Sequence, residues 1–435
     1  MTSRQFEVRM TLVEFQTLLS KLAKTKGTTA AGSLLRDPNK DLSALIPKGV
    51  KFYPSPAKGT QFPPLADWVL FAVPSSEEEE TLEYWVNKSE PKFAQAFVLL
   101  LIGLGPNKNE WKGWKLERGD ALPISGLELV GAGMKTTRSL NLSSPGSSLQ
   151  SRLGGILESA EPPKEIVPFR RRIEPAIPPD LLEQIGNSQI AIVGCDSLGT
   201  EIATHLANLG VKALVLLDEG VVKSEQIGSL PVEESDIGKS LARVIANRLQ
   251  PRFSNTMFHP ICSNDMLRYS GFSSIASEFG KIDLWISACD TDFPRLAIAK
   301  HCSTYLLPHI DVESWVAADS IPYGEVRMSL PIQGCILCSG AIRDLDQANY
   351  ELHAPTGALP RRPPLPWNSH GRIGALSYIT GFVASFTVKV WLDLLSGKLG
   401  ESKKFSLRWN EHQNVGFDAT PIKPLKNCKY CKGEW

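Results

Sequence analysis

From position 180 onward, short apolar runs alternate with stretches of helical periodicity along the chain. The runs QIAIVG, VKALVLLD and KIDLWISAC predict buried strands. Residues 197–210 and the segment SDIGKSLARVIANRLQ carry apolar positions at helical spacing and predict helices. Alternation of this kind is typical of a parallel sheet whose strands are joined by crossover helices. We therefore expect the second half of the chain to fold as an α/β domain.

The first half shows a less regular pattern. MTLVEFQTLLSKLAK has helical spacing, whereas DWVLFAVPS, AQAFVLLLIGLG and ISGLELVGAGM predict strands. KGWKLERG is expected to form a hairpin with the second of these strands across the turn PNKN. The Ser/Gly-rich stretch SLNLSSPGSSLQSRLGG is typical of a linker. We predict a smaller N-terminal α/β or α+β domain at 1–140, a linker at 141–165 and a larger domain at 166–435.

Composition narrows the possible functions. The chain has 435 residues, 42% hydrophobic and 21% charged, with a formal net charge of +1. No basic run indicates a nucleic-acid partner, and no apolar stretch approaches the roughly 20 residues of a membrane span. The N-terminus MTSRQFEVRM has no secretory signal pattern. We therefore expect a globular, cytoplasmic protein that binds neither nucleic acid nor membrane.

Cysteine and histidine are confined to one part of the sequence. All eight cysteines lie at or after Cys195, and all seven histidines lie at or after His205. In a cytoplasmic protein the cysteines are expected to be thiols or metal ligands rather than disulfides. The first half, which has neither residue type, is not expected to bind zinc or to use a thiol.

The stretch IAIVGCDSLGTEIATHLANLG has the pattern of a strand, a Gly-rich turn and a helix. The free backbone N–H groups at the start of such a helix form an anion site. Gly194 permits the tight turn, Gly199 allows the helix to pack closely on the strand, and Asp218 follows at the spacing of a ribose-binding carboxylate. Asp196 stands where the loop normally has its second glycine, and its charge opposes a polyphosphate. The pattern predicts nucleotide binding; a Rossmann-like domain without a ligand is the alternative.

Two Cys-x2-Cys pairs lie far apart in the sequence. Cys335 and Cys338 form the first pair, and Cys428 and Cys431 form the second, close to the C-terminus. Two pairs of equal spacing are typical of a tetrahedral zinc site. Four protein thiolates leave no open position for water, so we expect a structural Zn²⁺ that fixes the C-terminal tail to the domain.

Together these motifs resemble the family of ThiF, MoeB and the ubiquitin-activating enzymes, over residues 169–435. The resemblance implies a Rossmann-like adenylation domain with a mainly parallel sheet, a four-cysteine zinc site, and activation of a ubiquitin-like protein or peptide C-terminus with ATP and Mg²⁺. FRRRI resembles the N-terminal arginine motif of the family, which implies that Arg171 reaches the ATP of a partner subunit in a homodimer or heterodimer. ISACDTDFPRLAIAKHC is similar to the acidic motif of the family, which implies Asp290 as the magnesium ligand and Arg295 as the helix arginine.

The sequence departs from the family pattern at groups that handle phosphate charge. Gln226 and Ser229 stand near the family's Asn and Arg, and Leu241 occupies the position of its lysine. Lys239 is a candidate substitute, although two residues along a helix turn it to another face. These departures leave open a catalytically degenerate member that serves as a binding or dimerisation partner of an active subunit. A nicotinamide-dependent oxidoreductase would use the same first βαβ unit but does not explain the paired cysteines.

In bacteria, the adenylation fold of this family is often fused to, or encoded beside, a JAB-type isopeptidase or a conjugating-enzyme-like domain. Isopeptidases of this kind need zinc-binding histidines, and conjugating enzymes need a cysteine. The first half has neither, although FVLLLIGLGPNKNEWKGWKLERG has a faint likeness to the late strands of the isopeptidase. We expect a degenerate relative or a binding or dimerisation module there.

Overall fold

The computed structural model describes residues 173–263, 267, 282–354, 372–374, 376–409 and 415–432, and the backbone of the strands in the first half. The chain divides into two units, Met1–Ile166 and Val167–Trp435. Three predictions lie outside the described residues: Arg171, the linker at 141–165, and most of the first predicted helix.

The N-terminal unit contains an eight-stranded sheet in the order β3-β1-β8-β7-β6-β5-β2-β4. Its strands are β1 Phe6–Thr11, β2 Thr28–Leu34, β3 Ala44–Leu45, β4 Pro47–Pro54, β5 Trp68–Val73, β6 Phe97–Gly105, β7 Lys108–Glu117 and β8 Asp120–Val130. Strands β6 and β7 pair antiparallel with Gly105 opposite Lys108, which confirms the predicted hairpin with a shorter turn. The strands predicted from DWVLFAVPS and ISGLELVGAGM correspond to β5 and β8.

The C-terminal unit begins with the predicted alternation of strand and helix. Its elements are α1 Pro179–Asn187, β9 Gln189–Val193, α2 Ser197–Leu209, β10 Ala213–Leu217, α3 Leu241–Leu249, β11 Met257–Ile261, β12 Leu284–Ser287 and α4 Asp292–Tyr305. The remaining elements are β13 His309–Ala317, β14 Pro322–Ser329, α5 Leu345–His353, β15 Arg372–Gly374, α6 Ser377–Leu395, β16 Lys403–Trp409, β17 Val415–Pro421 and α7 Lys429–Lys432.

The sheet of the C-terminal unit is mixed. Its order is β11-β10-β9-β12-β13-β14-β16-β17, and β15 pairs with β13. The pairings from β11 to β13 are parallel, as the alternating pattern predicts, and those beyond β13 are antiparallel. The change occurs because β13 connects to β14 by a short hairpin, whereas a parallel connection needs a longer crossover. The parallel half carries the candidate site.

The helix predicted from SDIGKSLARVIANRLQ is shorter than the segment whose apolar spacing predicted it. Residues Glu234–Asp236 form a 3₁₀ turn, Gly238 has a φ of +83°, and α3 begins only at Leu241. A positive φ ends helical geometry, so the segment before Leu241 is a turn. In contrast, α2 ends as predicted, with Gly210 as a left-handed C-cap at φ +81°.

Helix α6 is long and apolar enough to cross a membrane when judged by length and composition. Its 18-residue window has a mean hydropathy of 1.3, but 56% of that window is buried inside the domain. The helix packs against α2, β13 and β14. A helix buried to this extent is typical of a protein core, and α6 covers one face of the sheet.

Candidate functional site

The Gly-rich loop between β9 and α2 requires both of its glycines. Gly194 has a φ of +96°, and a Cβ there would lie 2.3 Å from the carbonyl oxygen of Ala288. A Cβ on Gly199 would lie 1.8 Å from the carbonyl oxygen of Gly194. Gly194 therefore provides the turn, and Gly199 allows the first turn of α2 to approach the end of β9, as the sequence predicts.

A cavity of about 230 Å³ opens at the carboxyl ends of β9, β10 and β12. Strands β10 and β12 flank β9 on opposite sides, so their crossovers diverge at this point. Clefts at such a switch point are where open α/β sheets bind ligands. Four of the predicted residues line this cavity, namely Gly194, Asp196, Asp218 and Asp290.

Asp218 is held by the backbone around the cavity. Its Oδ2 accepts a hydrogen bond from the Cys195 backbone N–H at 2.7 Å, and its Oδ1 accepts one from the Gly220 N–H at 2.7 Å. Burial raises the pKa of Asp218, and these two hydrogen bonds partly offset that effect. Each carboxylate oxygen keeps a second lone pair, so Asp218 can still accept from ligand hydroxyl groups.

Asp196 caps the helix whose N-terminus would otherwise be open to an anion. Its Oδ1 accepts from the Ser197 backbone N–H at 2.9 Å and from Gln226 Nε2 at 3.2 Å. Gln226 is buried, and its Oε1 accepts from the Lys223 N–H at 2.9 Å. The sequence located Asp196 in the loop, but its bond to Gln226, 30 positions away, depends on the 3₁₀ turn Ser224–Gln226 that follows β10.

The charged residues that line the cavity are mostly acidic. Four of its residues are carboxylates, namely Asp196, Asp218, Glu219 and Asp290, and Lys223 is the cation among the described lining residues. Lys239 does not line the cavity; its Nζ lies 3.1 Å from Asp236 Oδ1. A polyphosphate bound here would need additional positive charge from a metal ion or from another chain.

The four paired cysteines come together in space. Their Sγ atoms all lie within 4.8 Å of one another. The Sγ–Sγ distances are 3.8 Å for Cys335–Cys338, 3.7 Å for Cys335–Cys428 and 3.4 Å for Cys338–Cys431. A tetrahedral zinc ion with Zn–S bonds of about 2.3 Å separates its sulfurs by about 3.8 Å. The donor set and its spacing therefore fit a four-thiolate metal site.

The chain around the cluster supports the sulfur atoms. The Leu425 backbone N–H lies 3.3 Å from Cys338 Sγ, and Ser303 on α4 donates to the carbonyl oxygen of Tyr430 at 2.5 Å. A Cβ on Gly334 would lie 2.1 Å from the carbonyl oxygen of Ile422. The C-terminal tail is thus docked on α4 beside the loop that follows β14.

A comparison with protein families matches the ThiF family over residues 169–432. The chain belongs to the ThiF family. The match covers the loop, the cavity and both cysteine pairs of the ThiF domain, as the sequence resemblance predicted.

Solved structures similar to the chain include E. coli MccB with ATP, at 18% identity over 58% of this chain and 68% of that chain, with a TM-score of 0.43. E. coli MccB with AMPCPP and MccA has the same identity and coverage, with a TM-score of 0.42. A comparison with curated proteins gives no match.

Three thiols outside the cysteine cluster are poor nucleophiles. Burial raises the pKa of Cys195, Cys289 and Cys302 well above the usual value of a thiol. Cys302 is 2% exposed and lies in the core within α4. The thiolate is the reactive form of cysteine, so a raised pKa makes all three poor nucleophiles. The buried Cys195 and Cys302 pack as small apolar side chains, whereas Cys289 is partly exposed and lines the cavity.

A buried ion network adjoins the cavity of the ThiF domain. Arg295 is fully buried and makes two hydrogen bonds to Asp311, at 2.7 Å through Nε and 2.6 Å through Nη2. Its Nη1 donates to Glu313 at 3.0 Å. Arg327 donates to both carboxylates, at 2.8 and 3.0 Å, and Arg343 also bonds Glu313.

Three arginines hold these two carboxylates ionised. Burial alone would raise the pKa of Asp311 and Glu313, but Arg295 and Arg327 outweigh it. The pKa of Asp311 is therefore well below its usual range, and that of Glu313 is about 2. The sequence identified Arg295 by resemblance, whereas its partners are more than ten positions away and were missed. The available signal was the alternate charged residues along the two strands, Asp311 and Glu313 on β13 and Glu325 and Arg327 on β14.

Proposed function

We propose that this chain uses ATP and Mg²⁺ to adenylate the C-terminal carboxylate of a ubiquitin-like protein or peptide. The observation that carries the proposal is the convergence of Gly194, Asp218 and Asp290 on one cavity at the switch point of the sheet. Membership of the ThiF family supports the same reaction class. Adenylation requires a nucleotide held in line with an attacking carboxylate, and such a cavity can orient the nucleotide.

Each residue has a role in this proposal. Gly194 and Gly199 shape the phosphate loop, and Asp218 binds the ribose hydroxyl groups through its free lone pairs. Asp290 is exposed at the carboxyl end of β12 and would hold Mg²⁺, a cation that prefers oxygen ligands. When bound, that ion supplies positive charge beside the phosphates. We also propose that Arg171 of one subunit serves the cavity of a second, in a homodimer or a heterodimer.

We further propose that the four cysteines hold a structural Zn²⁺. Four sulfurs at near-tetrahedral spacing support this assignment. Cysteines that bind a metal instead of forming disulfides are typical of a reducing compartment, and ATP is available there, so the proposal includes a cytoplasmic location.

Isotope exchange between pyrophosphate and ATP tests adenylation directly. The full chain is incubated with a candidate small protein that ends in an exposed flexible tail. Exchange that depends on that protein and on Mg²⁺ supports the proposal. An Asp290→Asn variant, which keeps the side-chain size but loses the charge, should reduce exchange by about a hundredfold or more. Equal exchange in both proteins would contradict the role of Asp290.

A second candidate function is a non-catalytic partner that completes the site of a separate active subunit. The observation that favours it is the acidic lining of the cavity, where four carboxylates face a single lysine among the described lining residues. A partner of this kind would increase pyrophosphate–ATP exchange by an active subunit, but it would show no exchange by itself. Exchange by the chain alone would exclude it.

A further inference from the structure

A second, small cavity of about 20 Å³ is lined by α4, by the β13–β14 pair, and by Cys335 and Cys431 of the two cysteine pairs. Two fully enclosed polar atoms on residues that line it, His309 Nδ1 and Ser329 Oγ, have no hydrogen-bond partner. His309 and Ser329 are 1% and 6% exposed, and they are directly opposite each other in the antiparallel register. Side chains at opposite positions of such a pair share one face of the sheet.

The bonds of Ser287 determine which nitrogen of His309 carries the proton. Ser287 Oγ is 2.7 Å from Asp311 Oδ1 and 2.8 Å from His309 Nε2. Ionised Asp311 can only accept hydrogen bonds, so the Ser287 hydroxyl uses its single hydrogen to donate to Asp311. Ser287 must therefore accept from His309, which places the proton on Nε2. In the neutral ring Nδ1 is then an acceptor in need of a donor.

The surroundings of the ring favour the neutral form. Burial lowers the pKa of His309 to about 4, although the charge of Asp311 acts in the opposite direction. Arg295 also disfavours a positive ring. With Nε2 protonated and directed at Ser287, Nδ1 has no hydrogen-bond partner among the described residues, and His309 lines the small cavity.

We propose that this cavity is a hydration site holding one ordered water molecule, which donates to His309 Nδ1 and bonds Ser329 Oγ. A buried water needs a cavity with roughly 10–15 Å³ of space for its centre and two to four polar partners. The cavity has about 20 Å³, and its two unpaired atoms supply the first two partners. A buried polar atom without a hydrogen-bond partner lowers the stability of the fold unless a water molecule bonds to it.

The water completes a chain of hydrogen bonds that reaches the ion network. The chain runs from the water to His309, then to Ser287, then to Asp311, which binds Arg295 on α4. His309 is accordingly a positioning residue: it fixes the hydroxyl of Ser287 toward Asp311 and does not line the larger cavity at the carboxyl ends of β9, β10 and β12. The inference is independent of the proposed function.

Nitrogen-15 NMR of the full chain tests the tautomer. A long-range proton–nitrogen spectrum distinguishes the Nε2–H, Nδ1–H and doubly protonated rings, and a His309→Gln variant assigns the resonance by its loss. We expect the Nε2–H tautomer near neutral pH. An Nδ1–H tautomer or a positively charged ring would overturn the proposal, because neither leaves Nδ1 free to accept from water.

A matched pair of serine variants tests the water itself. Ser329→Ala removes one partner of the water and should move the Nδ1 resonance of His309 toward that of an unbonded ring nitrogen. Ser314→Ala, on the opposite face of β13 where Ser314 contacts Thr380, should leave that resonance unchanged. A crystal structure of the wild-type chain should contain a water within hydrogen-bond distance of both atoms; an empty cavity, or identical spectra of the two variants, would overturn the proposal.

Discussion

The side-chain amide of Gln226 donates to Asp196 Oδ1 at 3.2 Å and holds that carboxylate over the N-terminus of α2. Asp196 also accepts from the Ser197 N–H, so a protein carboxylate occupies the place where a phosphate would meet the helix. A bound nucleotide must displace or avoid this charge. We therefore expect the cap to oppose nucleotide binding at the N-terminus of α2.

Asp196→Asn tests the contribution of this charge. The amide keeps the oxygen that caps Ser197 but removes the negative charge, so we expect the Kd for MgATP to fall about tenfold, equivalent to about 1.4 kcal/mol. Isothermal titration calorimetry measures the change. Asp196→Gly additionally removes the side chain. A gain in MgATP affinity that is seen only with glycine would assign the effect to the size of the side chain rather than to its charge. Weaker binding in Asp196→Asn would contradict the prediction and identify Asp196 as a ligand of the metal.

Gly199→Ala tests the close packing of α2 on the loop. The added Cβ would meet the Gly194 carbonyl oxygen at 1.8 Å, so we expect the free energy of unfolding to fall by about 1–3 kcal/mol. Gly381→Ala in α6 is the matched control, since its Cβ has no neighbour within 4 Å and alanine favours a helix by about 1 kcal/mol. Chemical denaturation of both variants measures these changes. Equal stability of the two would contradict the geometry of the loop.

The glycine loop shows what the sequence could predict. The spacing of Gly194, Gly199 and Asp218 depends on one continuous βαβ unit. Local pattern was enough to predict that Gly194 and Asp218 line one cavity and that Gly199 lies in the first turn of the adjoining helix. The resemblance to the acidic motif of the family predicted Asp290, which lies just after β12. The Gln226–Asp196 bond and the partners of Arg295 could not be predicted, because both depend on how separate strands and turns meet. The antiparallel half of the sheet was missed for the same reason.

Arg295→Met tests the buried ion network. The substitution leaves Asp311 and Glu313 with fewer cationic partners in a buried site, and we expect a loss of about 3–5 kcal/mol of stability. Lys389→Met on α6 is the control, because Lys389 pairs with Asp393 at the surface and such pairs contribute about 0.3–0.5 kcal/mol. Thermal unfolding of the two variants should differ clearly. A similar Tm for both would contradict the assigned role of Arg295.

Acidification should weaken the same network. Glu313 has a folded-state pKa of about 2, below the value of about 4.3 in an unfolded chain. A depressed pKa contributes stability that is present above the unfolded value and is lost as pH falls through the folded value. We expect stability to decline between about pH 5 and pH 2, and Glu313→Gln should show a shallower decline. Parallel pH profiles for the variant and the wild type would contradict this attribution.

Cys428→Ser tests the metal site. Purified wild-type protein should contain about one zinc per chain by elemental analysis, and the variant should retain little. The tail that carries Cys428 should then become susceptible to proteolysis, since the ion would fix it to the loop that carries Cys335 and Cys338. Cys262→Ser, a cysteine outside the cluster, is the control and should keep the metal. Full zinc content in Cys428→Ser would exclude the four-thiolate site.

Calorimetric titration of the full chain with MgATP, compared with an Asp218→Asn variant, tests the central claim that the switch-point cavity binds a nucleotide. We expect saturable binding to the wild type and an affinity at least tenfold lower in the variant, because Asp218 faces the cavity with acceptor positions for the ribose. Absence of heat at millimolar MgATP, or equal binding by both proteins, would contradict the claim.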